Sequence, residues 1–249
     1  MSDAARFCGM AVMAKAPRVG DVKTRLVPPL SAAAAAALGG AFLKDAADNI
    51  LAAATQAPID GYVAYSPAGS EELFRAILPR AIRLLPPRHA GLAASLLDAT
   101  ADLLALGHRA VCLVNADSPN LPTAALVAAV EALAPPGDRL VLGPAEDGGY
   151  WLIGLKAPHG RLFENIAWST DAVLGQTRER AASLGLDTVL LPSWYDVDDL
   201  SGLRRLAAEL QDGVGYPARH TAEYLRGLLA EDAGRCRLAA ERTASSDKR

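Results

Sequence analysis

The feature that most limits the fold of this chain is the regular alternation of short apolar segments with longer segments of helical character. The apolar segments predict strands at residues 7–14, 59–65, 81–85, 110–115, 139–142, 150–155 and 188–191. The longer segments predict helices at residues 30–54, 71–78, 92–106, 123–133, 170–184 and 199–210. We therefore predict a three-layer α/β/α fold with a mostly parallel mixed sheet and helices on both faces.

The chain reads as one domain followed by a tail. Of its 249 residues, 51% are hydrophobic, which is enough for one large core. No linker or internal repeat divides residues 1–230, so we expect a single domain there. Residues 231–249 are small, polar and charged, which predicts a disordered tail.

Composition argues against several classes of protein. No apolar stretch reaches about 20 residues, so we expect no membrane helix, and the N-terminus has no signal-peptide pattern. A net charge of −3 argues against nucleic acid as a partner. Cys8, Cys112 and Cys236 show no metal-ligand spacing, and a reducing cytoplasm is the expected location. The predicted helices are apolar enough to be compatible with a homodimer.

A basic loop follows the first predicted strand, with the sequence AKAPRVGDVKTRL at residues 14–26. Pro17 and Gly20 favour a loop conformation. Open α/β sheets bind ligands beyond the carboxyl ends of their strands, where cations can hold phosphates. The loop is thus either a phosphate cradle or a solvated basic turn, and its cations are Lys15, Arg18, Lys23 and Arg25.

Three acidic motifs follow later strands. Asp117, in NADSPNLP, is either a ligand for Mg²⁺ or Mn²⁺ bridging phosphates or a turn and helix cap. Asp147, in GPAEDGGYW, belongs to an Asp-Gly hairpin turn, to the site, or to both. Asp198, in DVDD at residues 196–199, is a further metal ligand, or this segment caps the last helix.

Taken in order, these blocks and the WST of residues 168–170 resemble one bacterial family. It is the rSAM/selenodomain-associated transferase 1 family, glycosyltransferase-like and similar to the 2-phospholactate guanylyltransferases of deazaflavin-cofactor synthesis. The resemblance covers residues 7–210. It implies the GT-A type of nucleotide-diphospho-sugar transferase fold.

The resemblance also implies roles for individual residues. Lys15, Lys23 and Arg25 would face the nucleotide phosphates from the loop that contains Gly20. Asp117 would bind the metal, with Asp198 as a further ligand or on the acceptor side, and Asp147 would lie on the acceptor side. The catalytic residues implied are Lys23, Asp117 and Asp147.

The sequence departs from the family pattern at residues 88–95. An Asp and an Arg that relatives carry there are absent, and residues 115–117 read NAD where relatives have GSD or a similar sequence.

Two functions follow from these observations. The first is a metal-dependent transferase that moves a nucleotidyl group from an NTP to a small anionic acceptor, or a glycosyl group from an NDP-sugar. The basic loop favours nucleotidyl transfer, because a triphosphate needs more cations. The second is a nucleotide-binding regulatory or partner protein without catalysis, since fold alone does not establish activity.

Overall fold

The computed structural model describes residues 7–228 and residue 230. In this part of the chain the strands are β1 (Cys8–Lys15), β2 (Ile59–Ser66), β3 (Arg83–Leu85), β4 (Ala110–Val114), β5 (Arg139–Pro144), β6 (Tyr150–Leu155) and β7 (Asp187–Leu190). The helices are α1 (Ala32–Ala53), α2 (Glu71–Ile77), α3 (Leu92–Ala105), α4 (Thr123–Leu133), α5 (Val173–Ser183) and α6 (Leu200–Asp212). Residues 219–228 are also helical, and the predicted tail lies outside the described residues.

All seven strands belong to one sheet, in the order β3-β2-β1-β4-β6-β5-β7. β1 pairs in parallel with β2 and β4, β2 with β3, and β5 with β7, whereas β6 is antiparallel to both β4 and β5. The predicted mostly parallel mixed sheet is confirmed. Because β6 alone is reversed, β1, β2, β4 and β5 all end at the same edge.

Side chains of β1 alternate between the two faces of the sheet, as strand geometry requires. Met10 and Val12 pack into a core that includes residues of α1 and α4. Ala11 packs on the opposite face, in a core that includes residues of α3 and α5. Helices on both faces are therefore confirmed.

Helix α1 begins at a serine cap. The Oγ of Ser31 accepts a hydrogen bond from the backbone N–H of Ala34 at 3.1 Å. Such a cap satisfies one of the first N–H groups, which have no partner inside the helix.

The helix at residues 219–228, which the sequence patterns did not predict, is tied to α1 by several hydrogen bonds, most of them to one buried carboxylate. Asp45 is 1% exposed. It accepts hydrogen bonds from the N–H of His220 at 3.0 Å and from the N–H and hydroxyl of Thr221 at 2.8 and 2.6 Å. Burial raises the pKa of Asp45, although these hydrogen bonds act in the opposite direction.

Several predicted elements are shorter in the structure, and two of them start later than expected in a way that bears on the site. The helix expected at residues 170–184 begins at Val173, and the strand expected at residues 81–85 is Arg83–Leu85. The backbone of Asp171 instead packs on Gly148 in the turn between β5 and β6. The N–H of Leu174 donates to the carbonyl of the same glycine at 2.8 Å. Across the described part of the chain, none of the helices has the length and apolar character needed to span a bilayer.

Candidate active site

A cleft of about 810 Å³ opens where the parallel strands end. Its walls are the segments that follow β1, β2, β3 and β4, together with Asp198 from the segment before α6. This is the edge at which open α/β sheets bind their ligands. The predicted residues that line the cleft are Lys15, Lys23, Arg25, Asp117 and Asp198.

The basic loop presents three of its four cations to this cleft. Arg18 instead donates to the Oγ of Ser70 at 3.0 Å and lies outside the lining. The ammonium of Lys15 donates to the backbone carbonyl of Asp21 at 3.0 Å. Gly20 also lies outside the lining, and its φ of +86° serves the turn of the loop.

Lys23 is the most constrained residue of the loop. Its backbone is left-handed, with φ 51°, and its side chain is only 6% exposed. Its ammonium contacts Asp117 Oδ1 at 2.5 Å, the carbonyl of Val197 at 2.8 Å and Asp198 Oδ1 at 3.5 Å. It also lies 5.0 Å from the centre of the Phe42 ring. A non-glycine residue in this conformation is uncommon and is concentrated at functional sites.

The turn after β4, which carries Asp117, is held by a second carboxylate, Asp196. Asp196 Oδ1 accepts hydrogen bonds from the side-chain amide of Asn115 at 2.6 Å and from the hydroxyl of Ser118 at 2.7 Å. The N–H of Val197 donates to the carbonyl of Asp117 at 2.8 Å. The two segments are thus fastened to each other on both sides of Asp117.

Asp196 also differs from an ordinary carboxylate in its acidity. Burial raises its pKa to about 6, and the negative charges of Asp117 and Asp147 act in the same direction. The hydrogen bonds from Ser118 and Asn115 oppose this rise without cancelling it. Sequence reasoning gave the DVDD motif its role through Asp198 and did not identify Asp196 as the support of the Asp117 turn.

The DVDD segment divides its acids between the cleft and the following helix. Asp198 Oδ2 lies 3.5 Å from Arg25 Nη1, and Asp198 lines the cleft. Asp199 caps α6, because its Oδ1 accepts from the N–H of Gly202 at 2.9 Å. The capping interpretation therefore holds for Asp199, while a metal-ligand role for Asp198 stays a prediction.

Asp147 occupies the turn between β5 and β6 and lies outside the cleft lining. Its Oδ1 accepts a hydrogen bond from the N–H of Gly149 at 2.9 Å. Gly148 has φ +88°, and a Cβ there would collide with the backbone of Asp171. The turn thus accounts for Gly148, while Asp147 lies close enough to Asp196 to affect its pKa.

The far wall of the cleft carries charged residues that the sequence analysis did not single out. Arg88 Nη2 contacts Asp98 Oδ1 at 3.2 Å and Asp102 Oδ1 at 3.1 Å. His89 Nδ1 lies 2.8 Å from Asp98 Oδ2. Asp98 and Asp102 are four residues apart, which puts them on one face of α3. This spacing is the sequence signal from which the acidic pair could have been predicted.

This far wall coincides with the departure from the family pattern. Gly91 and Ser95, within this stretch of residues 88–95, both line the cleft. Arg88, Asp98 and Asp102 line it too, so this wall carries an arginine paired with two carboxylates.

A divalent metal would fit this site only together with a bound substrate whose phosphates supply some of its ligands. In the described part of the chain, no cluster of three or more His, Cys, Asp and Glu side chains is suited to hold a metal ion. Mg²⁺, however, is commonly held by one or two carboxylates together with substrate phosphates. Asp117 and Asp198 form such a pair, since both contact the same ammonium.

Comparison with known proteins agrees with the fold described above. Residues 49–170 match the model of a family described as uncharacterized proteins conserved in bacteria (DUF2064). Searching the proteins of curated function gave no match. The fold resembles that of a candidate nucleotide-diphospho-sugar transferase from Desulfovibrio desulfuricans G20, with TM-score 0.79, 26% identity, and coverage of 90% of this chain and 96% of that one.

More distant structures share the fold. One is a CMP:2-keto-3-deoxy-manno-octonic acid synthetase in complex with CTP, with TM-score 0.51, 8% identity, and coverage of 83% of this chain and 99% of that one. Another is a cytidylyltransferase from Leptospira borgpetersenii, with TM-score 0.51, 11% identity, and coverage of 92% and 96%. The α/β fold is therefore of the GT-A nucleotide-diphospho-sugar transferase type.

Proposed function

We propose that this protein is a metal-dependent transferase with a nucleotide donor, and that nucleotidyl transfer from an NTP to a small anionic acceptor is its reaction. The observation that carries the proposal is the meeting of Lys15, Lys23 and Arg25 with Asp117 and Asp198 in one cleft, at the carboxyl edge of the sheet. Membership of the rSAM/selenodomain-associated transferase 1 family, with one domain over residues 1–230, is part of this proposal.

The reaction needs charge stabilisation more than an acid or a base. An oxygen of the acceptor attacks the α-phosphorus, the bond to the pyrophosphate oxygen breaks, and pyrophosphate leaves with the bonding electrons. An anionic acceptor has no proton to lose. Lys15, Lys23 and Arg25 hold the phosphates and neutralise the charge that develops on the leaving group.

Asp117 and Asp198 would hold the metal, Mg²⁺ or Mn²⁺, with the phosphates completing its coordination. The metal supplies Lewis-acid stabilisation of the leaving phosphates. Asp196 keeps Asp117 in place through Asn115 and Ser118. Asp147 would act from the acceptor side, next to this cluster.

Glycosyl transfer from an NDP-sugar would use the same residues. In that case an acceptor hydroxyl attacks the sugar carbon and the nucleoside diphosphate leaves. The three cations favour the triphosphate, which carries more charge. The resembling proteins that are named as a CTP complex and a cytidylyltransferase support a nucleotide donor as well.

The test is a thermal-shift panel of NTPs and NDP-sugars with and without Mg²⁺ or Mn²⁺. A ligand at about 100 times its Kd stabilises the folded state by about 2.7 kcal/mol. For a chain of this size, that raises Tm by roughly 5–10 °C. We expect a metal-dependent shift with one nucleotide in the wild type, lost in Asp117→Ala and Asp117→Asn, and kept in the control Asp171→Ala, at an exposed residue.

Absence of any shift across the panel would refute the nucleotide site. Product analysis then separates the reactions, because nucleotidyl transfer releases pyrophosphate and glycosyl transfer releases a nucleoside diphosphate. Binding without turnover, for every donor and a broad set of acceptors, would instead support a nucleotide-binding regulatory protein.

A further inference from the structure

Lys23 lies at the position where a hard cation would be held by this site. Its ammonium is surrounded by Asp117 Oδ1, Asp198 Oδ1 and the carbonyl oxygen of Val197. Carboxylate and carbonyl oxygens are also the ligands that Mg²⁺ and Mn²⁺ take in proteins. We propose that Lys23 substitutes for the divalent cation in the ligand-free protein, so that metal enters only together with a polyphosphate.

Cations already engage most of the carboxylate oxygens concerned. Asp117 Oδ1 and Asp198 Oδ1 contact Lys23, and Asp198 Oδ2 contacts Arg25. Three of the four carboxylate oxygens therefore face a positively charged nitrogen. A free divalent ion must compete with two cations of the protein before it can bind.

The lysine is fixed in this position rather than extended into solvent. Its side chain is 6% exposed, and its ammonium lies 5.0 Å from the centre of the Phe42 ring. Its left-handed backbone, with φ 51°, is a conformation that non-glycine residues adopt at an energetic cost. The ion pairs with Asp117 and Asp198 offset that cost, so they are part of the folded ligand-free protein.

An ammonium and a metal ion cannot share this position. Mg²⁺ binds oxygen at about 2.0–2.1 Å, which leaves no room for a nitrogen among the same oxygens. Two positive charges at this separation also repel strongly. A polyphosphate resolves the conflict, because its oxygens can accept Lys23 and Arg25 while others coordinate the metal.

This inference rests on the proposed function for the identity of the polyphosphate, but its central claim concerns metal alone. The test measures Mn²⁺ retained by the protein in equilibrium dialysis, without nucleotide. The variants are Lys23→Met, which keeps the aliphatic stem, and Lys23→Arg, which keeps the charge. Lys15→Met is the matched control, because Lys15 lines the same cleft and bonds to the carbonyl of Asp21.

We expect Lys23→Met to bind free Mn²⁺ at least tenfold more tightly than the wild type. Lys23→Arg and Lys15→Met should stay within threefold of the wild type. Circular dichroism and thermal melts establish that each variant is folded, and Lys23→Gln replaces Lys23→Met if the latter is not. Equal Mn²⁺ binding by the wild type and the folded, uncharged variant would overturn the proposal.

A second arm repeats the dialysis with inorganic tripolyphosphate. We expect the wild type then to retain about one Mn²⁺ per chain above a protein-free control. If tripolyphosphate adds no Mn²⁺ to the wild type while Lys23→Met binds free Mn²⁺, the polyphosphate function fails and the exclusion of metal by Lys23 stands. The two failures are therefore distinguishable.

Discussion

Replacing Asp196 with asparagine should stabilise the protein at neutral pH and leave it unchanged in acid. Both hydrogen bonds to this side chain, from Asn115 and Ser118, converge on Oδ1. Asparagine offers the same single acceptor, so both bonds can persist. The substitution removes a negative charge that burial disfavours, and this burial is also the reason why the pKa of Asp196 is raised to about 6.

The size of the effect follows from the two pKa values. The carboxyl group titrates near its ordinary value of 3.8 in the unfolded chain and at about 6 in the folded protein. This raised pKa means that the neutral form is favoured on folding, so the wild type loses stability as pH rises from about 4 through 6. At 1.36 kcal/mol per pKa unit, the loss above pH 7 is about 3 kcal/mol.

Urea unfolding of the wild type and Asp196→Asn, in EDTA from pH 4 to pH 8, measures this difference. We expect equal stabilities near pH 4 and an advantage of about 2–3 kcal/mol for the variant at pH 8. Asp171→Asn, at an exposed carboxylate, controls for the loss of one negative charge and should follow the wild type. A difference that does not change with pH, or a variant less stable throughout, would refute the reasoning.

Two further predictions concern stability away from the cleft. Asp45→Ala leaves three donors without their acceptor and should cost about 2–3 kcal/mol, with faster hydrogen exchange at residues 219–228 as the specific readout; unchanged exchange there would contradict the tether. Gly148→Ala must place a Cβ against the backbone of Asp171 at φ +88° and should cost about 2–4 kcal/mol by thermal melting. Its control is Gly175→Ala in α5, where a Cβ meets nothing within 4 Å and a gain of about 0.5–1 kcal/mol is expected; equal effects of the two changes would rule out the collision.

The fold could be predicted because its signals are local. Buried strands and helices differ in period and length, so each could be identified from its own residues. The helix at residues 219–228 was not predicted, because its attachment depends on Asp45, which is 174 or more residues away along the chain. No sequence pattern within residues 219–228 indicates that such a partner exists.

The site was predictable only to the level of its segments. The basic loop and Asp117 are visible because they follow strands, and strand ends meet at one edge. The pairing of Lys23 with Asp117 and Val197 joins three distant segments, and no local pattern encodes it. Likewise, the sequence cannot tell which acid of DVDD supports the Asp117 turn and which one contacts Lys23.

The reversed direction of β6 has a consequence for how this architecture can diversify. Because β6 runs back beside β4, the turn that joins it to β5 remains at the edge where the cleft opens. Residues 145–149 of this turn are distant along the chain from the basic loop and from the far wall. None of residues 145–149 lines the cleft, and Gly148 packs against the backbone of Asp171, so this turn borders the site without forming its wall. Substitutions that respect this packing can therefore vary the border of the site while the phosphate-facing loop stays unchanged.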